Sequence, residues 1–405
     1  MNESTSYQRH VVVAGGSFAG LGAAYTLRER LGPGDRVTVV EPSGRFVFAL
    51  SLVWAVLGRS LYRGSFALDP ALEAKGIKYL RSAVREVRAD ENVVRTDDGE
   101  IRYDRLIIAT GGRPNTTAIP GLAGEFRSAH WIVGEDSAVE ARESLRRLFD
   151  DPGPLVIGAA PGATYFSGVY ELALALDTVL RRRGIRDRVP FTFITGQPYL
   201  GDLGFDQRAA RAKLQTLFTE RNITYRTGVS IDRVGSHEVV LGSGETLPAA
   251  VSIIMPPFTG DVDLWKSPKL TDEHGFIPVN DRYQHVTYPE IYAAGVACSF
   301  DRPIPPLTEP RAPHTGYLAV RMGQAAAQNV AASLGSGPPA ERTLPYVLDV
   351  RVLDGGSTGL FLTSWGTKRL QNVAIRLPHP LIHYLKAIQE RYLVWRLRTG
   401  RMDLP

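Results

Sequence analysis

Near its start the chain runs His10-Val-Val-Val-Ala14, then Gly15-Gly-Ser-Phe-Ala-Gly20, then a helical stretch from Leu21 to Leu31, then Val37-Thr-Val-Val-Glu41. No other feature narrows the fold as much. A strand, a glycine turn, a helix and a second strand closed by an acid about 20 residues after the last glycine open a dinucleotide-binding α/β sheet. Each part has a physical task. Gly15 permits the tight turn, and Gly20 lets helix and strand approach. The helix N-terminus over Ser17, Phe18, Ala19 and Gly20 directs free backbone amides at a pyrophosphate. Glu41 is placed to accept hydrogen bonds from the adenosine ribose hydroxyls. Ser17 holds the middle position, where glycine is usual, and is itself small.

Beyond this unit, Ile77-Lys-Tyr-Leu80, Val84-Arg-Glu-Val87, Asn92-Val-Val-Arg95 and Glu100-Ile-Arg-Tyr-Asp104 read as short strands around an Asp98-Gly99 turn. They lead into Arg105-Leu-Ile-Ile-Ala-Thr110-Gly111, a buried strand ending in Ala-Thr-Gly. A second strand and turn begin at Pro154-Leu-Val-Ile-Gly158, with a helix through Glu171 to Arg183 and a strand at Phe191–Thr195. Glu290-Ile-Tyr-Ala-Ala-Gly295-Val296 reads as a strand returning to the first domain, and Gly335–Pro339 as a linker. The expected architecture is α/β: two interleaved Rossmann-like domains and a C-terminal amphipathic segment. The expected ranges are 1–118 and 254–335 for the first domain, 119–253 for the second, and 336–405 for the tail.

Composition sets limits on function. With 405 residues, 44% of them apolar, the chain has material for two or three cores and is not disordered. A formal charge of +5 suits a membrane surface or an acidic ligand and does not indicate nucleic acid. Cys298 is the only cysteine, which excludes an internal disulfide or a zinc site built on cysteine pairs, and no metal is expected. The polar opening MNESTSYQRH shows no signal peptide, and the apolar stretch Phe46 to Leu57 is too short to span a bilayer.

These residues together resemble the sulfide:quinone oxidoreductases and their flavocytochrome c sulfide dehydrogenase relatives, within the FAD-dependent pyridine nucleotide-disulfide oxidoreductase superfamily. The likeness rests on the glycine turn and on Phe46-Val-Phe-Ala-Leu-Ser51 through Trp54 to Gly58. It continues in Pro154–Ala163 with Tyr170-Glu171, in Ala294-Gly295-Val296, and in Ala312-Pro-His-Thr-Gly-Tyr317. The tail Glu390-Arg-Tyr-Leu-Val-Trp-Arg-Leu-Arg-Thr-Gly400 is similar as well. The resemblance implies FAD held by Gly15, Ser17, Phe18, Ala19, Gly20, Glu41, Val84, Thr110, Gly111, Gly295, Val296, His314 and Thr315. His314 stands where the family has a lysine, which would stabilise negative charge on the reduced flavin. The resemblance also implies a quinone acceptor, with Phe361 and Tyr392 lining its entry.

The departures concern the electron donor. The family oxidises sulfide with paired cysteines beside the flavin, where this chain has Tyr165 and Ala297, with Val133 near the third cysteine position. The sulfide-side histidines correspond to Ser137 and Asp202. Cys298 comes one position late, and one residue of offset on a strand turns a side chain to the other face. It is a candidate catalytic thiol and also reads as a buried inert one. The second turn carries Ala160 and Ala163 where glycines belong, and its second strand ends Thr195-Gly-Gln-Pro198 without a ribose acid, which disfavours NADH. Glu171 follows that turn among apolar neighbours. Desolvation there would raise its pKa and suit it to pass protons to a quinone, the role of the family's matching glutamate.

In the tail, Leu381, Leu385, Ile388, Tyr392 and Trp395 make one helical face, with Lys386, Glu390, Arg391 and Arg398 around the other side. Such a helix lies in a membrane surface or docks on a core. The expectation is a peripheral flavoprotein on the cytoplasmic face of a membrane, passing electrons from an unidentified donor through FAD to a quinone. Sulfide oxidation through Cys298 alone, type II NADH:quinone oxidoreduction and a non-catalytic flavin- or quinone-binding protein are the alternatives. A homo-oligomer stays open.

Overall fold

The computed structural model describes residues 9–124, 126, 128–202, 208–260, 267, 269–300, 315–341, 349–364 and 373–401. Its first sheet has five parallel strands in the spatial order Lys78–Leu80, Arg36–Val40, His10–Ala14, Arg105–Ile108, Ile291–Ala293. The run Val11-Val-Val13 is apolar without alternation because both sheet faces are covered. Val12 and Ala14 pack on one side with Leu106 and Ile108, while Val11 and Val13 pack on the other with Ile107. Helix α1 (Phe18–Arg30) follows the first strand. Strand order reverses between His10–Ala14 and Arg105–Ile108, so a crevice opens at the carboxyl ends of these two strands, where such sheets bind ligands.

Helices α2 (Leu52–Val56) and α3 (Leu68–Glu73) lie between the second and third strands. The sequence grouped Ile77–Leu80 with the short alternating strands. It instead pairs in parallel with Arg36–Val40, through Thr38 opposite Lys78. Val84–Arg88, Val93–Thr96 and Gly99–Arg102 form the antiparallel meander. Its turn falls at Asp97-Asp98, one residue before the expected pair, because Gly99 with φ of +130° already opens the next strand.

The second sheet, also parallel, runs Ala129–His130, Val251–Met255, Leu155–Ala159, Phe191–Thr195, Thr224–Thr227. Around it lie α4 (Glu135–Asp150), α5 (Phe166–Arg182) and α6 (Arg208–Glu220). Helix α7 (Gly316–Ser333) then packs along α1 and closes the first domain. Two Rossmann-like sheets are therefore present, as the sequence implied. A three-stranded antiparallel sheet, Asp349–Asp354, Thr358–Ser364 and Val373–Pro378, follows and supports α8 (Leu381–Thr399).

Helix α8 docks on the protein through the side that carries Lys386 and Glu390 and leaves most of the apolar stripe outward. Ile382, Lys386, Glu390, Leu393 and Leu397 are buried. Leu381, Tyr384, Ile388, Tyr392 and Trp395 are exposed, Ile388 at 61%. Lys386 and Glu390, expected on the solvent side, are buried because each meets an opposite charge there. Among the described residues no helix is long and apolar enough to cross a membrane.

Candidate functional site

The crevice at the end of the first sheet holds a cavity of about 270 Å³. It gathers Ser17, Phe18 and Ala19 from the start of α1, Thr110 and Gly111 after the fourth strand, Gly295 and Val296 after the fifth, and Thr315 at the start of α7. Eight residues proposed from sequence thus meet in one place. Ala49, Leu50, Leu52, Ile132, Tyr165 and Phe258 complete an apolar wall suited to a flat heteroaromatic ring.

The turn itself fits a pyrophosphate. Gly15 sits at φ of +113°, and a Cβ there would lie 2.3 Å from the Ala109 carbonyl oxygen. A Cβ on Gly20 would lie 1.9 Å from the Gly15 carbonyl oxygen, so both positions demand glycine. No side chain caps α1 and its first turn carries no acid, which leaves its amides and positive dipole end for an anion. Helix α7 likewise begins at the cavity without an acid in its first turn, and Thr315 caps it by accepting from the Leu318 amide. A dipole end there favours negative charge at the near edge of a reduced ring. The sequence assigned that role to His314, which lies outside the described residues.

Glu41 stands at the end of the second strand, outside the cavity. Its carboxylate accepts from the Ser43 amide at 2.9 Å, the Gly44 amide at 3.1 Å and the Tyr79 hydroxyl at 3.2 Å. Two carboxylate oxygens have lone pairs to spare for ribose hydroxyls. Val84 begins its strand in the core with Val40 and Val87 and does not line the cavity.

Beyond the ring cavity lies a narrow slot that shares Leu50, Tyr165, Thr315 and Gly316 with it. Glu171, Val352, Arg351, Lys386, Gln389 and Leu393 line its far side. The Lys386 ammonium donates to Glu171, and the two side chains are 4% and 5% exposed. Burial pushes the Glu171 carboxyl up to about 7, with the charge of Lys386 opposing. Trp54 lies under both Lys386, at 4.6 Å from the ring centre, and Arg59, at 4.0 Å. Arg59 pairs with Glu390 at 2.6 Å, and the Ser51 hydroxyl also donates to Glu390. This chain of paired charges is what turns the polar residues of α8 inward.

Phe361 and Tyr392 do not line the slot. Phe361 sits on the middle strand opposite Val352 and Ile375, and Tyr392 points outward beside Trp395. The residues of α8 that reach the slot are Lys386, Gln389 and Leu393, on the helix face that sequence periodicity marked as polar.

Cys298 is fully buried in the core with Tyr283 and Phe300, outside the cavity lining. Its thiol donates to the Gly295 carbonyl at 3.2 Å, and burial pushes it up to about 12. Tyr165, which stands at a family cysteine position, donates to the Ala49 carbonyl at 3.2 Å and is held well above its ordinary pKa by burial. In the second domain the strand Phe191–Thr195 runs on into Gly196-Gln197-Pro198 without an acid, and Gln197 accepts from the Tyr170 hydroxyl at 3.1 Å. Among the described residues no cluster could hold a metal ion.

Residues 9–323 match the pyridine nucleotide-disulphide oxidoreductase family. The chain is 31% identical over 408 residues to a sulfide-quinone reductase of Aquifex aeolicus, covering 97% of this chain and 92% of that one. It is 30% identical over 414 residues to an NADH dehydrogenase-like protein of Mycobacterium tuberculosis, covering 97% and 96%. The solved structure of the Aquifex aeolicus sulfide:quinone oxidoreductase superposes with a TM-score of 0.87 at 29% identity, covering 98% of this chain and 93% of that one. With the glycine turn, the uncapped helix end and the apolar ring cavity, these findings make the chain a member of the pyridine nucleotide-disulphide oxidoreductase family, an FAD-dependent oxidoreductase that resembles sulfide:quinone oxidoreductase but has a single cysteine.

Proposed function

We propose that the protein passes electrons from a donor other than sulfide, through FAD, to a quinone at a membrane surface. The observation that carries this reading is the slot behind the ring cavity, with Glu171 and Lys386 at its inner end and the apolar face of α8 outside. FAD, when bound, supplies the two-electron chemistry. A quinone that takes two electrons also takes two protons. Glu171, protonated at its carboxyl below about pH 7, gives one to the quinone oxygen, and Lys386 then stabilises the carboxylate left behind. Leu381, Tyr384, Ile388, Tyr392 and Trp395 lie against the lipid, with Trp and Tyr at headgroup level, so the quinone enters without crossing water.

The donor side argues against the family's cysteine relay. Tyr165, Val133, Val296 and Ile132 face the cavity, and the only thiol is buried and protonated. The second turn and Gln197 argue against NADH. The test is to reduce the FAD-loaded protein photochemically without air and mix it with decyl-ubiquinone. The expected result is rapid recovery of oxidised flavin absorbance. No recovery above the rate without quinone would remove the quinone reading and leave a flavin-holding protein. Titration of the oxidised protein with sulfide and with NADH separates the donor alternatives, and neither is expected to bleach the flavin at a catalytic rate.

A further inference from the structure

A proton given up by a buried carboxyl has to be replaced from water, and the Glu171 side chain is only 5% exposed. Three groups face it. Lys386, from α8, is equally buried and lies over the Trp54 ring. Tyr165, six residues earlier at the start of the same helix, is committed to the Ala49 carbonyl. The third is Asp354, at the end of the first strand of the antiparallel sheet, whose backbone amide faces the Glu171 carboxylate. The Asp354 side chain is 3% exposed; one oxygen accepts from the Gly356 amide at 3.0 Å, and the other lies 2.7 Å from Nδ1 of His383. The His383 side chain, on the first turn of α8, is 43% exposed, and its ring leans on Trp54 at 5.3 Å. An exposed imidazole, a buried carboxylate and the slot carboxyl therefore follow one another from surface to interior.

We propose that His383 is the surface end of the proton supply to Glu171, with Asp354 as the intermediate carboxylate. This rests on Glu171 acting as the proton donor to the acceptor. Histidine suits the position because its two nitrogens act separately. Nε2 takes a proton from water while the Nδ1 proton passes to Asp354. From Asp354 the proton crosses to Glu171 through one water alongside the Asp354 amide. Each turnover moves one proton from bulk water to the acceptor oxygen by this route, and no electron travels with it. The other charged groups around the route are Lys386 from α8, Arg351 from the antiparallel sheet, and Arg59 behind Trp54, with His379 at 5.8 Å from the His383 ring.

The test compares His383→Gln with the wild type as FAD-loaded full-length proteins. Glutamine keeps a donor for Asp354 and cannot relay a proton, so docking of α8 survives. Decyl-ubiquinone reduction at pH 7 is expected to fall about tenfold. Added imidazole is expected to restore most of the loss in the variant and to leave the wild type unchanged. A second readout needs no turnover: the Glu171 carboxyl infrared band, identified by its absence in Glu171→Gln, is followed against pH. In Asp354→Asn, which removes the neighbouring negative charge that raises Glu171, its midpoint is expected to move down by about half a pH unit. Full quinone reduction in His383→Gln from pH 6 to 8, a loss that imidazole does not restore, or an unmoved midpoint would each overturn the proposal. A wild type that reduces no quinone refutes the acceptor reading instead, and the infrared titration still decides whether Asp354 and Glu171 are coupled.

Discussion

At the scale of single residues, two side chains carry separate predictions. Glu41 combines its loop contacts with spare lone pairs toward a ribose, so Glu41→Ala loses charge-assisted hydrogen bonds of about 1.5–3 kcal/mol each. FAD retention on dialysis, measured by flavin absorbance per protein, is expected to weaken by at least about tenfold. Cys298→Ser is expected to leave the flavin spectrum and quinone reduction unchanged, because the thiol is protonated and packed away from the cavity. A lost reaction in that variant would return the cysteine to the donor site. These two residues also show what was legible in the sequence. The glycine turn and Glu41 could be read because every group involved lies within one short βαβ unit. Cys298 was half-legible: its offset from the family position could be counted, but only the packing around Tyr283 and Phe300 shows where the side chain points.

At the scale of elements, α8 decides how the molecule meets its surroundings. Periodicity separates its apolar stripe from its charged side but does not show what the charged side meets. Lys386 and Glu390 are buried there because Glu171 and Arg59, separated from them by 215 and 331 residues, pair with them. No local pattern carries that information. A charge is tolerated in a core only through its partner, and the partner is fixed by the tertiary fold. Two predictions follow from the docked geometry. Replacing both Ile388 and Trp395 by Glu alters only exposed positions, so thermal stability is expected to hold while flotation with anionic liposomes is lost. Equal flotation of variant and wild type would mean that the apolar face of α8 is not the lipid contact. Lys386→Met, by contrast, leaves Glu171 buried without its cation. It is expected to lower the melting temperature and to raise the pH at which Glu171 loses its proton, read from the carboxyl infrared band.

At the scale of the whole molecule, two dinucleotide-type sheets are retained, and the first has the form of a binding site. Its crevice combines an uncapped helix end, an obligatory glycine turn and an apolar ring cavity. The second has alanines in its turn, and its second strand runs into Gly196-Gln197-Pro198 without an acid. The antiparallel sheet and α8 close the far side of the ring cavity with a slot in which Glu171 is the only carboxylate among the described residues. The chain therefore keeps the family's flavin fold, with tyrosine and aliphatic side chains lining the ring cavity.

Quinone reduction by this protein, as proposed, depends most directly on Glu171 as the proton source. The decisive measurement is the rate at which decyl-ubiquinone reoxidises the photoreduced, FAD-loaded protein from pH 5.5 to 8.5, in the wild type and in Glu171→Gln. Burial raises the carboxyl to about 7, so the group holds its proton below that pH and loses it above. The wild-type rate is predicted to be high at the acid end and to fall as pH rises through about 7. In Glu171→Gln it is predicted to be low throughout and flat across that range. A wild-type rate that does not change through pH 7, or a Gln variant with the same rate and profile as the wild type, would contradict the account.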